Sequence, residues 1–355
     1  MLSSPQTLWT TVSGPERVRT VGRLFSPRTG GTMQVYETKL LGGITRTKEF
    51  ERKKLASFAV NVGTKCGHDC LYCSTGALLR MHRSFVEVGQ SPFGHGYAIV
   101  DPSTPERVSV DARRIRHRGV VQLCTTVDAW APEAQAHQLG RRCLEAILSE
   151  PGWSVRILTK SASVVADYDL VARYRDRVLV ALSITGTGEN EALLRVIEPN
   201  ASTITERISA MARARALGLR TFGMFCPLIP GVADTPEHVD QLINLAAGWC
   251  AEEVFVEPVN PRGPGLRLAQ EALERHGYHE QARAIQAIRQ RRTWSAYVVR
   301  LLKHVQRSMR RHLEISRLRF LLYPSGLTPE DAQLIRGDDS GVVWLDKPER
   351  RELAD

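Results

Sequence analysis

From residue 57 onward the chain alternates short apolar runs with amphipathic stretches. The runs cover residues 58–62, 120–124, 155–158, 178–184, 220–225 and 253–256, and they read as strands. Between them, residues 132–149, 162–173, 203–217 and 236–247 place apolar side chains at i, i+3, i+4, which predicts helices with one face on a core. Gly218 stops the third of these helices, and Asp234-Thr235-Pro236 opens the fourth. Six strand–helix repeats without hairpin signals imply a parallel sheet with right-handed crossovers. That leaves an open doubly wound sheet or a partial barrel. In either, functional groups gather at the C-terminal ends of the strands.

Those ends are legible. The first strand runs into Cys66-Gly67-His68-Asp69-Cys70-Leu71-Tyr72-Cys73 and the second into Cys124-Thr125-Thr126-Val127-Asp128. The next three end in Leu158-Thr159-Lys160-Ser161, Ser183-Ile184-Thr185 and Cys226-Pro227, and the sixth leads through Glu257 to Asn260 and Arg262. Polar and ionisable groups thus share one rim, as a pocket for a charged cofactor requires. Residues 1–50 are polar, with Gly30-Gly31 and Gly42-Gly43 as breakers, and read as an N-terminal extension holding a short strand at 33–36. The repeats fill residues 51–277.

Beyond about residue 278 the composition shifts. Residues 281–319 carry about a dozen Lys and Arg against very few acids, with Trp294 and Tyr297 interleaved. Ile285, Ile288, Val298, Leu301, Leu302 and Val305 keep helical spacing, so one face packs inward. The opposite face is either a solvated surface or a track for phosphates with aromatics for stacking. A strand follows at 317–324, and the tail from Gly337 is acidic and mixed. The segment 278–355 is thus a basic C-terminal extension with a possible nucleic-acid contact.

Hydrophobic residues make up 43% and charged residues 24% of the 355, proportions that exclude a disordered chain and allow a large core. No apolar run is long enough to span a bilayer, and the first residues lack the layout of a secretory signal, so no membrane partner is expected. Seven cysteines, an odd number, do not read as a disulfide framework, and a reducing cytoplasm is the expected setting. The net charge of +10 adds weak support for an anionic partner such as nucleic acid.

Against that background the C-x3-C-x2-C loop stands out. Thiolates at short spacings select iron–sulfur clusters or zinc, and both normally take four protein ligands. No fourth cysteine lies nearby, so one metal position is left open for chemistry. A zinc site completed by His68, or three unrelated thiols, is the alternative.

The loop closely resembles the cluster-binding loop of the radical S-adenosylmethionine (SAM) enzymes. Further blocks in residues 57–262 resemble one branch of that superfamily, spore photoproduct lyase and its DNA-photolyase-like relatives. These are residues 158–161, Ser183-Ile184-Thr185, Arg195-Val196-Ile197-Glu198-Pro199 and Pro227-Leu228-Ile229-Pro230-Gly231. The resemblance implies an α/β fold of the partial (β/α)6 TIM-barrel type. It implies a [4Fe–4S] cluster on Cys66, Cys70 and Cys73, with SAM on the open iron and a reducing electron donor such as flavodoxin or ferredoxin. Lys160 would neutralise the SAM carboxylate, and Ser183 and Thr126 would hydrogen-bond to SAM. Cys124 falls in a segment similar to the one that holds the hydrogen-atom-donating thiol of the lyases. Its other reading is an ordinary buried cysteine. Cys226 is a second candidate donor, and Cys143 and Cys250 read as core. Tyr72 matches the first of two tyrosines that relay the hydrogen atom, but Ser74 stands at the second.

The expectation is therefore a radical SAM lyase acting on thymine-dimer lesions in DNA, with Cys124 as hydrogen donor. Two alternatives stay open: the same radical chemistry on RNA, a peptide or a small metabolite, and a non-catalytic, metal-stabilised nucleic-acid-binding protein.

Overall fold

The structure, a computed structural model, describes residues 18–25, 31–261 and 263–345. Residues 1–17 of the N-terminal extension, Arg262 and the end of the acidic tail lie outside the described residues.

All six expected strands are present. They are β1 (Phe58–Val60), β2 (Val120–Leu123), β3 (Ser154–Thr159), β4 (Val178–Leu182), β5 (Gly223–Leu228) and β6 (Val254–Pro258). They run parallel in that order. Between β4 and β5 the ladder passes through the short piece Arg220–Thr221 and a bridge from Ser183 to Met224. The segment expected as a strand at 317–324 is β7 (Leu318–Leu322), which pairs with β6, and β8 (Val342–Trp344) pairs with β7. The compositional break at about residue 278 therefore falls inside one continuous parallel array. At the other edge Thr45–Arg46 pairs antiparallel with β1. The two edges do not pair with each other, so the barrel is partial.

Alternation along the strands sorts side chains into two cores. Val121, Leu123, Val155, Ile157, Val178 and Val180 face outward and pack with Leu144, Ile147, Ile204 and Met211 of the surrounding helices. Leu179, Ala181, Met224, Phe222, Phe255 and Leu321 form a separate inner cluster that fills the barrel. Phe222 and Phe255 meet edge to face with ring centroids 5.9 Å apart, adding about 1 kcal/mol beyond their burial.

The helices follow their sequence signals where caps are present. Thr203 and Glu206 form a capping box at the start of Ile204–Ala216, worth about 1 kcal/mol, and Gly218 ends that run at φ +67°. Thr235 caps Pro236–Gly248. The helix expected over 132–149 is instead two, Pro132–Gln135 and Leu139–Leu148, broken where Gln138 adopts φ +52°. The basic extension holds three helices among the described residues, His279–Ala287, Arg291–His312 and Pro329–Gly337.

A second sheet underlies the cysteine loop. The hairpin Val18–Phe25 and Thr32–Thr38 pairs through Tyr97–Val100 with Gly63–Lys65, the strand directly before Cys66. The short strand expected at 33–36 is thus part of a platform for the site.

Candidate active site

The cysteine loop leaves the barrel between β1 and β2 and is fastened from three sides. The amide of Gly67 donates to the Glu133 carboxylate at 3.0 Å, and Asn200 donates to the Gly67 carbonyl at 2.9 Å. Leu71 N–H donates to the Ile197 carbonyl at 2.9 Å. The block 195–200 thus acts as a clamp on the loop. Gly265 lies so close to Tyr72 that a Cβ there would sit 2.8 Å from its backbone, so the helix Gly265–Arg275 needs glycine at its start. Asn61, one residue past β1, accepts from the amides of Thr125 and Thr126 at 2.9 and 3.0 Å and sets the course of the loop after β2.

These loops enclose a cavity of about 200 Å³. Of the residues expected from the sequence to act, Cys66, Cys70 and Cys73 line it together with Tyr72, Cys124, Thr126, Lys160 and Ser183, while the second candidate donor Cys226 does not. Cys70 is buried, Cys66 half-buried and Cys73 exposed. Burial pushes the Cys66 thiol up and holds Cys70 at about 12, so iron would have to displace their protons. Among the described residues no three His, Cys, Asp or Glu side chains converge on a single metal ion. A mononuclear zinc needs donors within about 2.3 Å of one point, whereas a cubane cluster spreads its ligands over separate corners. His68 does not complete a zinc site either, because both ring nitrogens are turned to protein groups, Nε2 to Asp128 at 2.8 Å and Nδ1 to the Asn200 carbonyl at 3.4 Å. Three thiols from one short loop, with no fourth cysteine in that loop, fit a [4Fe–4S] cluster with an open iron.

Two buried carboxylates organise the wall beside the cysteine loop. Asp128 accepts from His68, from the Thr159 hydroxyl and from the Lys160 amide, each at 2.8 Å, and from the Trp130 amide at 2.9 Å. Burial alone would raise its pKa; the interactions with His68 and the donors hold it below the ordinary value. Glu198 accepts from Lys160 Nζ at 2.9 Å, from Thr185 at 2.8 Å, and from Tyr72 and Arg207. Here too burial is overcome by Arg207 and Lys160, and the carboxyl lies far below its ordinary value. Glu198 carries one negative charge against two cations, Arg207 and Lys160. The excess positive charge faces the cavity through Lys160, whose Nζ also donates to Ser183 at 3.0 Å. That surplus fits a bound carboxylate such as the one SAM carries.

Cys124 is 4% exposed, and burial pushes its thiol well above the ordinary range, so sulfur keeps its hydrogen at neutral pH. Cys226 sits elsewhere: its thiol donates to Glu257 at 3.3 Å on the barrel side of Ser183. There Lys53 pairs with Glu257 at 3.4 Å and Tyr323 donates to Glu49 at 3.2 Å. Cys143 is in the core as expected, but Cys250 is exposed at φ +57° in the turn after Pro236–Gly248. Trp294 and Tyr297 are also corrected. Both are buried, donating to the carbonyls of Val259 and Leu228, and neither is available for stacking.

Sequence reasoning passed over Glu198, Asp128 and Arg207. The first two lie inside segments whose order drew attention, but nothing marks a buried carboxylate until its donors are in place. Arg207 looks like a solvent-facing residue of an amphipathic helix and is 1% exposed.

An uncharacterized protein of Acidianus two-tailed virus is 25% identical over 224 residues, covering 61% of this chain and 71% of that protein. An uncharacterized protein of Mycobacterium tuberculosis is 26% identical over 207 residues, 58% of this chain and 59% of the relative. A spore photoproduct lyase variant superposes with a TM-score of 0.51 at 15% identity over 78% of each chain, a likeness of fold. The family model described as the radical SAM superfamily matches residues 60–246, just over half of the chain, and includes the cysteine loop, Cys124, Lys160, Ser183 and Glu198. The chain belongs to the radical SAM superfamily, whose members carry a [4Fe–4S] cluster and bind SAM.

Proposed function

We propose that this radical SAM enzyme is a lyase that repairs a methylene-bridged thymine dimer, the spore photoproduct, in DNA. The observation that carries the reading is Cys124: a buried, protonated thiol on the same cavity as the three cluster cysteines and Lys160. When bound, the cluster and SAM supply a 5′-deoxyadenosyl radical that takes a hydrogen atom from the substrate.

The chain's own residues account for the rest. Cys66, Cys70 and Cys73 hold the iron, and Lys160, with Ser183 and Thr126, holds the methionyl end of SAM. Once the substrate radical has fragmented, Cys124 gives its hydrogen atom to the carbon-centred product radical. The S–H bond breaks, a C–H bond forms, and the unpaired electron passes to sulfur; one electron from the external reductant and a solvent proton then restore the thiol for the next turnover. A thiolate has no hydrogen atom to give, which is why burial of the thiol matters. Tyr72 is the neighbouring hydrogen source, but its hydroxyl is turned to Glu198. With Ser74 in place of a second tyrosine, SAM is consumed rather than regenerated.

A lesion reaches such a cavity only when turned out of the duplex, which costs a few kcal/mol. Arg292, Arg300, Lys303 and Arg307 form an exposed stripe about 22 Å long on Arg291–His312, and among the described residues none of the four has an ion pair. Phosphate contacts along that stripe offset the cost.

The test is an anaerobic assay of the reconstituted, dithionite-reduced protein with SAM, with and without a spore-photoproduct dinucleotide. Mass spectrometry should find repaired thymine and about one 5′-deoxyadenosine per repair. SAM cleavage without repair would move the substrate to RNA, a peptide or a metabolite. An intact cluster that never cleaves SAM would leave only a nucleic-acid-binding role.

A further inference from the structure

We propose that the surface spanning residues 78–93, directly beyond the cysteine loop, is the docking face for an acidic electron-transfer protein of the flavodoxin or ferredoxin class. The proposal rests on the reading of Cys66, Cys70 and Cys73 as ligands of a redox cluster.

Among the described residues eight large hydrophobic side chains are exposed, and four of them, Leu78, Met81, Val86 and Phe93, fall in this one stretch. Met81 is 86% and Val86 83% exposed. Single exposed apolar residues are ordinary, but half of those exposed among the described residues falling within one sixteen-residue stretch marks a contact surface. The chain here follows straight on from the site. Cys73 is the exposed member of the three cysteines, the helix Thr75–Leu78 begins two residues later, and Phe93 itself lines the cavity. Electron transfer falls steeply with distance, so a donor must dock where the cluster comes nearest the surface. That place is beside Cys73.

Charge selects the partner. Arg80 and Arg83 are exposed among the apolar residues, Arg83 also reaches the backbone of exposed Lys39 at 3.5 Å, and Glu87 is the only acid between residues 74 and 95. Glu87 is 3.7 Å from Arg83 and offsets one of these charges, leaving the face net positive. An apolar centre with a cationic rim suits a small, transient, electrostatically steered contact, and redox encounters bury below about 1,200 Å². The basic stripe on Arg291–His312 differs in kind. Its exposed positions are cations and one alanine, without large apolar side chains, so it offers phosphates a track but gives a folded protein nothing to pack against.

The experiment compares two reductants on the holoenzyme: dithionite, which needs no docking, and flavodoxin kept reduced by its NADPH-dependent reductase. The variant combines Arg80→Glu, Met81→Glu and Val86→Glu, none of which lines the cavity. Formation of 5′-deoxyadenosine driven by flavodoxin should fall about tenfold or more, while the dithionite-driven rate stays within about twofold. In the unaltered protein the flavodoxin-driven rate should also drop with added salt. An equal loss under both reductants, no selective loss, or no flavodoxin-driven turnover by the unaltered protein overturns the proposal. So does sedimentation of the unaltered protein as a dimer that the variant abolishes, since the face would then belong to a second copy. Failure of dithionite with the unaltered protein would instead bring down the radical SAM chemistry itself.

Discussion

The two halves of the barrel mouth are built from the same residue types and differ in one added charged residue. On the side of the cysteine loop Lys160, Glu198, Tyr72 and Cys70 cluster; on the side of β5–β7 the set is Lys53, Glu257, Tyr323 and Cys226. In the first, buried Arg207 adds a second cation to the single carboxylate. In the second, Glu49 adds a second carboxylate, 3.8 Å from Lys53. The first half is left one positive charge in surplus and the second one negative. A carboxylate ligand is therefore drawn to Lys160 rather than to Lys53, whose charge is already outweighed by two carboxylates. Composition alone would have called the two clusters equivalent.

Removing Arg207 should have the largest effect on this contrast. Arg207→Met leaves Glu198 buried with one cation and should cost about 3–5 kcal/mol of unfolding free energy, read by denaturant titration. Lys53→Met breaks a pair closer to solvent and should cost about 2 kcal/mol. Equal losses would show that the second cation is structural ballast.

Next comes ligand affinity. Lys160→Met should weaken SAM binding by about 10- to 100-fold in anaerobic calorimetry, the worth of one charge-assisted hydrogen bond, whereas Lys53→Met should leave it nearly unchanged. The two thiols come third. Cys124→Ala should keep 5′-deoxyadenosine formation but lower clean repair about tenfold, with by-products trapped from the product radical. Cys226→Ala should change repair less than about threefold, because its hydrogen is committed to Glu257. A reversal of that order would move the donor to the other half of the mouth.

The smallest effect is on pH dependence. The folded pKa of Glu198 lies below its ordinary 4.5, so its ionised form stabilises the fold. That contribution is present above pH 4.5 and is lost as pH falls below it. Melting curves between pH 6 and 3 should fall for the unaltered protein and more shallowly for Glu198→Gln.

Much of this site was readable in the sequence, because strand-end positions in a parallel array are fixed by the pattern of apolar runs. The cysteine loop, Cys124, Lys160 and Ser183 each close such a run, and all line one cavity. What stayed hidden depends on long-range contacts. Arg207 sits on a helix whose polar residues look solvated, and only its meeting with Glu198 makes it central. Trp294 and Tyr297 misled for the converse reason: their basic neighbours suggested an exposed face, while their own polar atoms bond buried carbonyls. The barrel's last two strands follow a long basic stretch that broke the repeat before the sheet was finished.

The sheet beneath the cysteine loop bears on how the protein can be handled. A truncation at the compositional boundary near residue 50 would remove the hairpin that covers one side of Tyr97–Val100. Those four residues, Tyr, Ala, Ile and Val, are buried, and their backbone would become an open apolar edge able to pair with another chain. Shortened versions should therefore precipitate or pair edge to edge, whatever their barrel retains, and the iron-loading loop would be the first part lost from solution.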